Sequence, residues 1–128
     1  MSIYSDTMGG ILFLRPNQDA DFETAMEIRE RLAIAANEHV DFVILDFSLA
    51  ALVSTATLRV ILDAAHHIHK RRGCIVVAGA SAQFHRLLVI SDVLKLVPAF
   101  ASIKEAQAHL LTFLTENDSF SSGEDSEI

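Results

Sequence analysis

"FVILDFSLAALVSTATLRVILDAAHHIHKRRGCIVVAG", residues 42–79, holds two apolar runs separated by one amphipathic segment. "FVILDF" is apolar apart from Asp46, the composition of a strand covered on both faces, and "CIVVAG" at 74–79 is a second run of the same kind. Between them Leu58, Ile61, Leu62, Ala65 and Ile68 recur at helical spacing. This helix starts near Ser54 or Thr55 and runs to "KRRG", a basic last turn followed by a glycine stop. A buried strand, a helix and a second buried strand imply a right-handed crossover between parallel neighbours.

Upstream, "GILFLR" at 10–15 reads as a strand closed by Pro16, Asn17 and Asp19, and a weaker strand at Ser2 to Tyr4 pairs with it through "MGG". Asp21 is placed to cap a helix in which Phe22, Ala25, Met26, Arg29, Leu32, Ala33 and Ala36 share helical spacing. Downstream, "SAQFHRLLVISD" at 81–92 is a shorter helix carrying Phe84, Leu87, Leu88 and Val89. A short stretch at "LVPAF" leads into "SIKEAQAHLLTFL", where Ser102 and Glu105 form a capping-box pattern. The expected fold is α/β: a mixed, mostly parallel sheet of four to five strands with about four helices. Residues 1–115 form the domain, and "ENDSFSSGEDSEI" at 116–128 reads as a disordered acidic tail.

Length and charge narrow the function. One domain fits 128 residues, and 51% hydrophobic content suits a chain that buries a core without staples. Glu116, Asp118, Glu124, Asp125 and Glu127 supply five of the seven net negative charges, so the domain itself is nearly neutral and lacks a nucleic-acid-binding field. The single cysteine, Cys74, reads as a small core hydrophobe and suits a reducing cytoplasm. No basic segment precedes "ILFL", and no run reaches the roughly 18 apolar residues of a membrane span, so neither a signal peptide nor direct membrane insertion is expected.

Enzyme signatures are missing: there is no glycine-rich phosphate loop and no G-x-S-x-G elbow, and the lone thiol lies in a strand. His66 and His69 share a helix face, but no third ligand is spaced to complete a metal site, so no metal and no cofactor are expected. Asp46 ends a strand as the phospho-accepting aspartate of a receiver domain does. That chemistry needs acids directly after the first strand and a lysine near the fifth, and here the acids come a turn late and no lysine directly follows the fourth strand.

"LDFS" at 45–48, "STAT" at 54–57, "VAGAS" at 77–81 and "AFASIKEA" at 99–106 together resemble the core of the STAS domain, the module shared by anti-sigma factor antagonists and sulfate transporter tails. The resemblance spans about residues 10–114. In that family an Asp-Ser-Ser-Gly-like motif opens the second helix, and typical antagonists are phosphorylated on the second Ser. Aligned on "LDFS", Ser54 takes the place of the Asp, Thr55 and Ala56 those of the two Ser, and Thr57 that of the Gly. A stressosome-like branch reads Asp-Thr-x-x with Thr as acceptor, which "STAT" approaches more closely. The resemblance therefore implies phosphorylation at Thr55 first, Ser54 second and Thr57 third, and a partner surface of Asp21, Ser48, Leu49, Ser54, Thr55, Ala56, Thr57 and Arg59. It implies a non-enzymatic anti-sigma factor antagonist that binds a Ser/Thr kinase anti-sigma factor, is served by a cognate phosphatase and is compatible with a homodimer. The alternative is a constitutive STAS subunit of a stressosome-like scaffold or of a membrane transporter complex.

Overall fold

In each inner strand successive side chains point to opposite faces, and both faces are apolar. The structure, a computed structural model, describes residues 3–113. Ser2, Leu114 and the expected tail at 116–128 lie outside the described residues. Along the chain come β1 (Ile3–Met8), β2 (Ile11–Pro16), α1 (Phe22–Asn37), β3 (Phe42–Asp46), α2 (Thr55–Lys70), β4 (Cys74–Ala78), α3 (Ala82–Ile90), a 3-10 turn (Val93–Lys95) and β5 (Ala99–Phe100). A last helix, α4, covers 103–113. The five strands lie in the order β1-β2-β3-β4-β5, with β1 antiparallel to β2 and every other pair parallel. This is the mixed, mostly parallel sheet with four helices that the sequence predicts.

Leu12, Leu14, Val43, Leu45, Ile75 and Val77 point to one face and pack with α1, α2 and α3. Ile44, Cys74, Val76 and Ala78 point to the other and meet Ala106 and Leu110 of α4. Burying each large aliphatic side chain contributes roughly 1.5–3 kcal/mol, so both layers are needed to hold the sheet. Cys74 sits under α4, and burial raises its thiol above the ordinary value of 9.0. Native protein is therefore expected to leave Ellman's reagent unreacted at pH 8 until denaturant opens the α4 layer; fast labelling of the folded protein would contradict this packing.

Three local readings differ from the structure. The first strand reaches Met8, beyond the Tyr4 read from sequence, because it is a sheet edge whose Ser5, Asp6 and Thr7 carry no apolar signal. Along α1 the core face is Ala25, Ile28, Leu32 and Ala35, while Phe22 is 65% exposed and Arg29 and Ala33 face solvent. Apolar residues occupy two sides of this helix, and spacing alone merges the sheet-facing stripe with the one that faces α2. After α2, Arg72 takes the left-handed conformation at φ 64°, not Gly73. Gly73 serves close approach instead, since a Cβ there would collide with the Asp41 backbone carbonyl.

Candidate functional site

Parallel strands place the N-termini of α1, α2 and α3 at one end of the sheet, the carboxyl end of the strands, where α/β proteins present their loops. Residues 48–53 cross this end between β3 and α2. Phe47, fully buried, anchors the start of the crossing: its N–H donates to the Ala78 carbonyl at 2.9 Å, and its ring meets Phe84 of α3 edge-on with centroids 4.6 Å apart. The buried Asp46 carboxylate accepts from the Ser48 N–H at 2.9 Å.

Several side chains remote in sequence then pin the crossing. Asp19 Oδ1 accepts from the N–H groups of Ala51 (2.9 Å) and Leu52 (3.1 Å). Ala20 bridges Val53: its N–H donates to the Leu52 carbonyl at 2.9 Å, and its carbonyl accepts from Ser54 N–H at 2.8 Å. Gln83 Oε1 accepts from Val53 N–H at 3.2 Å, and its Nε2 donates to the Val53 carbonyl at 3.5 Å. Ser81 caps α3 by accepting from Phe84 N–H at 3.2 Å, while its hydroxyl donates to the Ala51 carbonyl at 2.6 Å. With the backbone so occupied, Leu49 (52% exposed) and Leu52 (58%) are held outward in water. Exposed leucines on a fixed backbone are a pre-organised apolar surface.

Gly79, next to β4, lies at φ +68°, and a Cβ on it would stand 2.9 Å from Ser48 Cβ. The left-handed backbone alone costs a residue with a side chain about 1–2 kcal/mol. Gly79→Ala is therefore expected to lower stability by more than that in denaturant unfolding, because Ser48 must also move; an unchanged midpoint would refute the close approach.

At the helix start the four "STAT" residues separate by role. Ser54 is the N-cap of α2, with its Oγ accepting from Thr57 N–H at 3.2 Å and lying 3.1 Å from Thr57 Oγ1. Thr57 is wholly buried, and its hydroxyl donates to the Ala20 carbonyl at 3.4 Å. Ala56 is half-buried. Thr55 is exposed at the first helical position, and among the described residues its hydroxyl has no hydrogen-bond partner. Phosphate on Ser54 would disrupt the cap, and phosphate on Thr57 has no room. On Thr55 it would sit beside the free N–H groups of the first turn, where the helix dipole favours negative charge. Arg59, also exposed, follows one turn along the same helix.

Asp21, Ser48 and Leu49 of the sequence-derived partner surface are likewise exposed. Asp21 caps α1, its Oδ1 accepting from Thr24 N–H at 2.9 Å, and that bond holds its carboxyl below the ordinary value of 3.8. Because the folded value is depressed, the stability this cap contributes is complete above the unfolded value and lost as pH falls through the folded one. Asp21→Asn is expected to flatten the stability-against-pH curve below pH 4; an unaltered curve would contradict the cap. Sequence reasoning missed Asp19, Leu52, Ser81 and Gln83. All but Leu52 act across more than 25 residues of chain, which no local pattern registers. His69 Nε2 lies 3.3 Å from the Leu96 carbonyl, His66 faces solvent, and among the described residues no three His, Cys, Asp or Glu side chains group to hold a metal. No helix among the described residues is long and apolar enough to cross a membrane.

These elements define a small α/β module that offers one pinned loop and one helix start to solvent. The sequence model of the STAS domain matches residues 3–106, and the chain belongs to the STAS domain family. Against the curated proteins no match is found. Among solved structures, the Thermotoga maritima protein TM1081 superposes with a TM-score of 0.78 at 17% identity, covering 84% of this chain and 93% of that one. The anti-sigma factor antagonist SpoIIAA in its unphosphorylated form gives 0.76 at 13% identity, covering 86% and 96%. The Bacillus cell fate determinant SpoIIAA in its phosphorylated form gives 0.69 at 13% identity, covering 84% and 97%. At these identities the likeness is one of fold.

Proposed function

We propose that this chain is a non-enzymatic anti-sigma factor antagonist that binds a Ser/Thr kinase anti-sigma factor with residues 48–59 and is released when Thr55 is phosphorylated. The observation that carries the reading is the exposed Thr55 hydroxyl, without a hydrogen-bond partner among the described residues, on the helix that follows the pinned Leu49–Leu52 crossing. Membership of the STAS family and the shared fold with an antagonist solved in both phosphorylation states support it. The setting is the bacterial cytoplasm, the readout is transcription, and a cognate phosphatase restores the binding form.

The physics of such a switch needs no catalytic group on this chain. Phosphate adds about −1.5 to −2 charges and three acceptor oxygens where the helix start tolerates them, so the fold hardly changes. A partner seated over Leu49 and Leu52 meets that hydrated charge at its edge.

Calorimetric titration with Ser/Thr kinase anti-sigma factors of the host tests the reading. Wild type is expected to bind one of them, and Leu49→Asp/Leu52→Asp to lose at least about a hundredfold in affinity while unfolding at the same denaturant concentration. Equal binding by the double variant would overturn the proposed surface.

A further inference from the structure

Between α1 and α2 runs an open groove of about 820 Å³. Its walls include Phe22, Met26, Ala33 and Ala36 on one helix and Ala56, Val60 and Ala64 on the other, a mostly apolar lining. Its charged rim is predominantly basic. Arg29, Arg59 and Arg71 line it against Asp41 and Asp63, and Asp41 is already paired with Arg71 at 3.3 Å. Among the described residues Arg29 and Arg59 make no ion pair.

Two facts name an occupant. The described chain ends at residue 113, where the Phe113 ring packs edge-on against Phe42 with centroids 5.8 Å apart. Phe42 directly follows Asp41, which with Arg71 lines one end of the groove, and its ring lies with α4 on the opposite face of the sheet, so the described chain ends across the sheet from that end of the groove. Beyond lie residues 116–128, with five carboxylates, no Lys or Arg, and one large aromatic, Phe120. At about 3.3–3.6 Å per residue this segment reaches farther than α2 is long, at about 1.5 Å per residue.

We propose that the acidic segment 116–128 docks in the α1–α2 groove of its own chain, seating Phe120 among the apolar walls and its carboxylates beside Arg29 and Arg59. Its five carboxylates complement Arg29 and Arg59, the groove arginines that make no ion pair among the described residues. Tethering supplies a millimolar effective concentration, so individually weak contacts suffice to populate the docked form. The groove shares Ala56 and Arg59 with the surface proposed for the partner, and the tail's docking is read in the isolated chain, without that partner.

Amide spectra of the full chain, of a chain ending at residue 115 and of full-length Phe120→Ser test it. Relative to the full chain, both changes are expected to shift groove amides such as Ala33, Ala36 and Ala64 while leaving α3 and β5 in place. A synthetic peptide of residues 116–128 added to the shortened chain should restore the full-chain positions. Its affinity should fall about tenfold in Arg29→Glu/Arg59→Glu, the loss expected from two exposed charge contacts, and should fall with salt. Groove amides that are the same in all three proteins would overturn the proposal. So would a doubled sedimentation mass on shortening that moves the same amides, because the groove would then belong to a second copy. If Phe120→Ser alone leaves the groove amides unmoved, the docking mode proposed is wrong.

Discussion

Replacing Phe47 with alanine is expected to cost about 3–5 kcal/mol of unfolding free energy, the range for deleting a fully buried phenylalanine. The ring leaves a cavity between β3 and α3 that its neighbours are poorly placed to fill, since Phe84 packs edge-on against it at 4.6 Å and is itself fully buried. The backbone bond from Phe47 to Ala78 ties the same residue to the next strand. Loss should therefore extend from the core to the carboxyl end of the sheet, loosening residues 48–53 in hydrogen exchange even under conditions where the protein remains folded. Denaturant unfolding measures the first effect. A loss under about 1 kcal/mol would show that this aromatic pair does not anchor the crossing.

The second large effect is on binding, not folding. Thr55→Glu is expected to change unfolding free energy by less than about 1 kcal/mol, because a carboxylate in the first helical turn suits the dipole. The same substitution should weaken the proposed complex with an anti-sigma factor by two or more orders of magnitude, about 3 kcal/mol, where the partner closes over Thr55 and desolvates the added charge. Thr55→Ala, which removes a hydroxyl with no partner among the described residues, should bind as wild type does. A glutamate variant that binds normally would place the partner elsewhere on the domain.

Much of this architecture was legible in the sequence because its signals are local. The apolar runs at 42–47, broken only by Asp46, and at 74–79 have the composition of strands covered on both faces, and the 58-61-65-68 stripe of α2 faces the core as its spacing requires. Asp21 and Ser54 cap the helices they precede. The local pattern was silent where tertiary contact decides. Phe22 carries an apolar side chain at helical spacing with Ala25 and Met26, yet it is turned out of the core because α1 divides its apolar residues between the sheet and the α2 groove. At the candidate site the hydroxyls of "STAT" were visible as residues, but their separation into a cap, an exposed group and a buried donor depends on Ala20, 37 positions from Thr57. Asp19 reads locally as a turn residue, and its grip on Ala51 and Leu52 exists only once β2 and β3 are adjacent.

Intact mass after incubation with the Ser/Thr kinase anti-sigma factor proposed as partner and ATP tests the assignment of Thr55, using wild type, Ser54→Ala, Thr55→Ala and Thr57→Ala. Wild type, Ser54→Ala and Thr57→Ala are each expected to gain the mass of one phosphoryl group, and Thr55→Ala to gain none. Phosphate retained in Thr55→Ala would rule out Thr55 as the acceptor, and no phosphate on wild type with a kinase that binds it would rule out the switch and point to a constitutive STAS subunit.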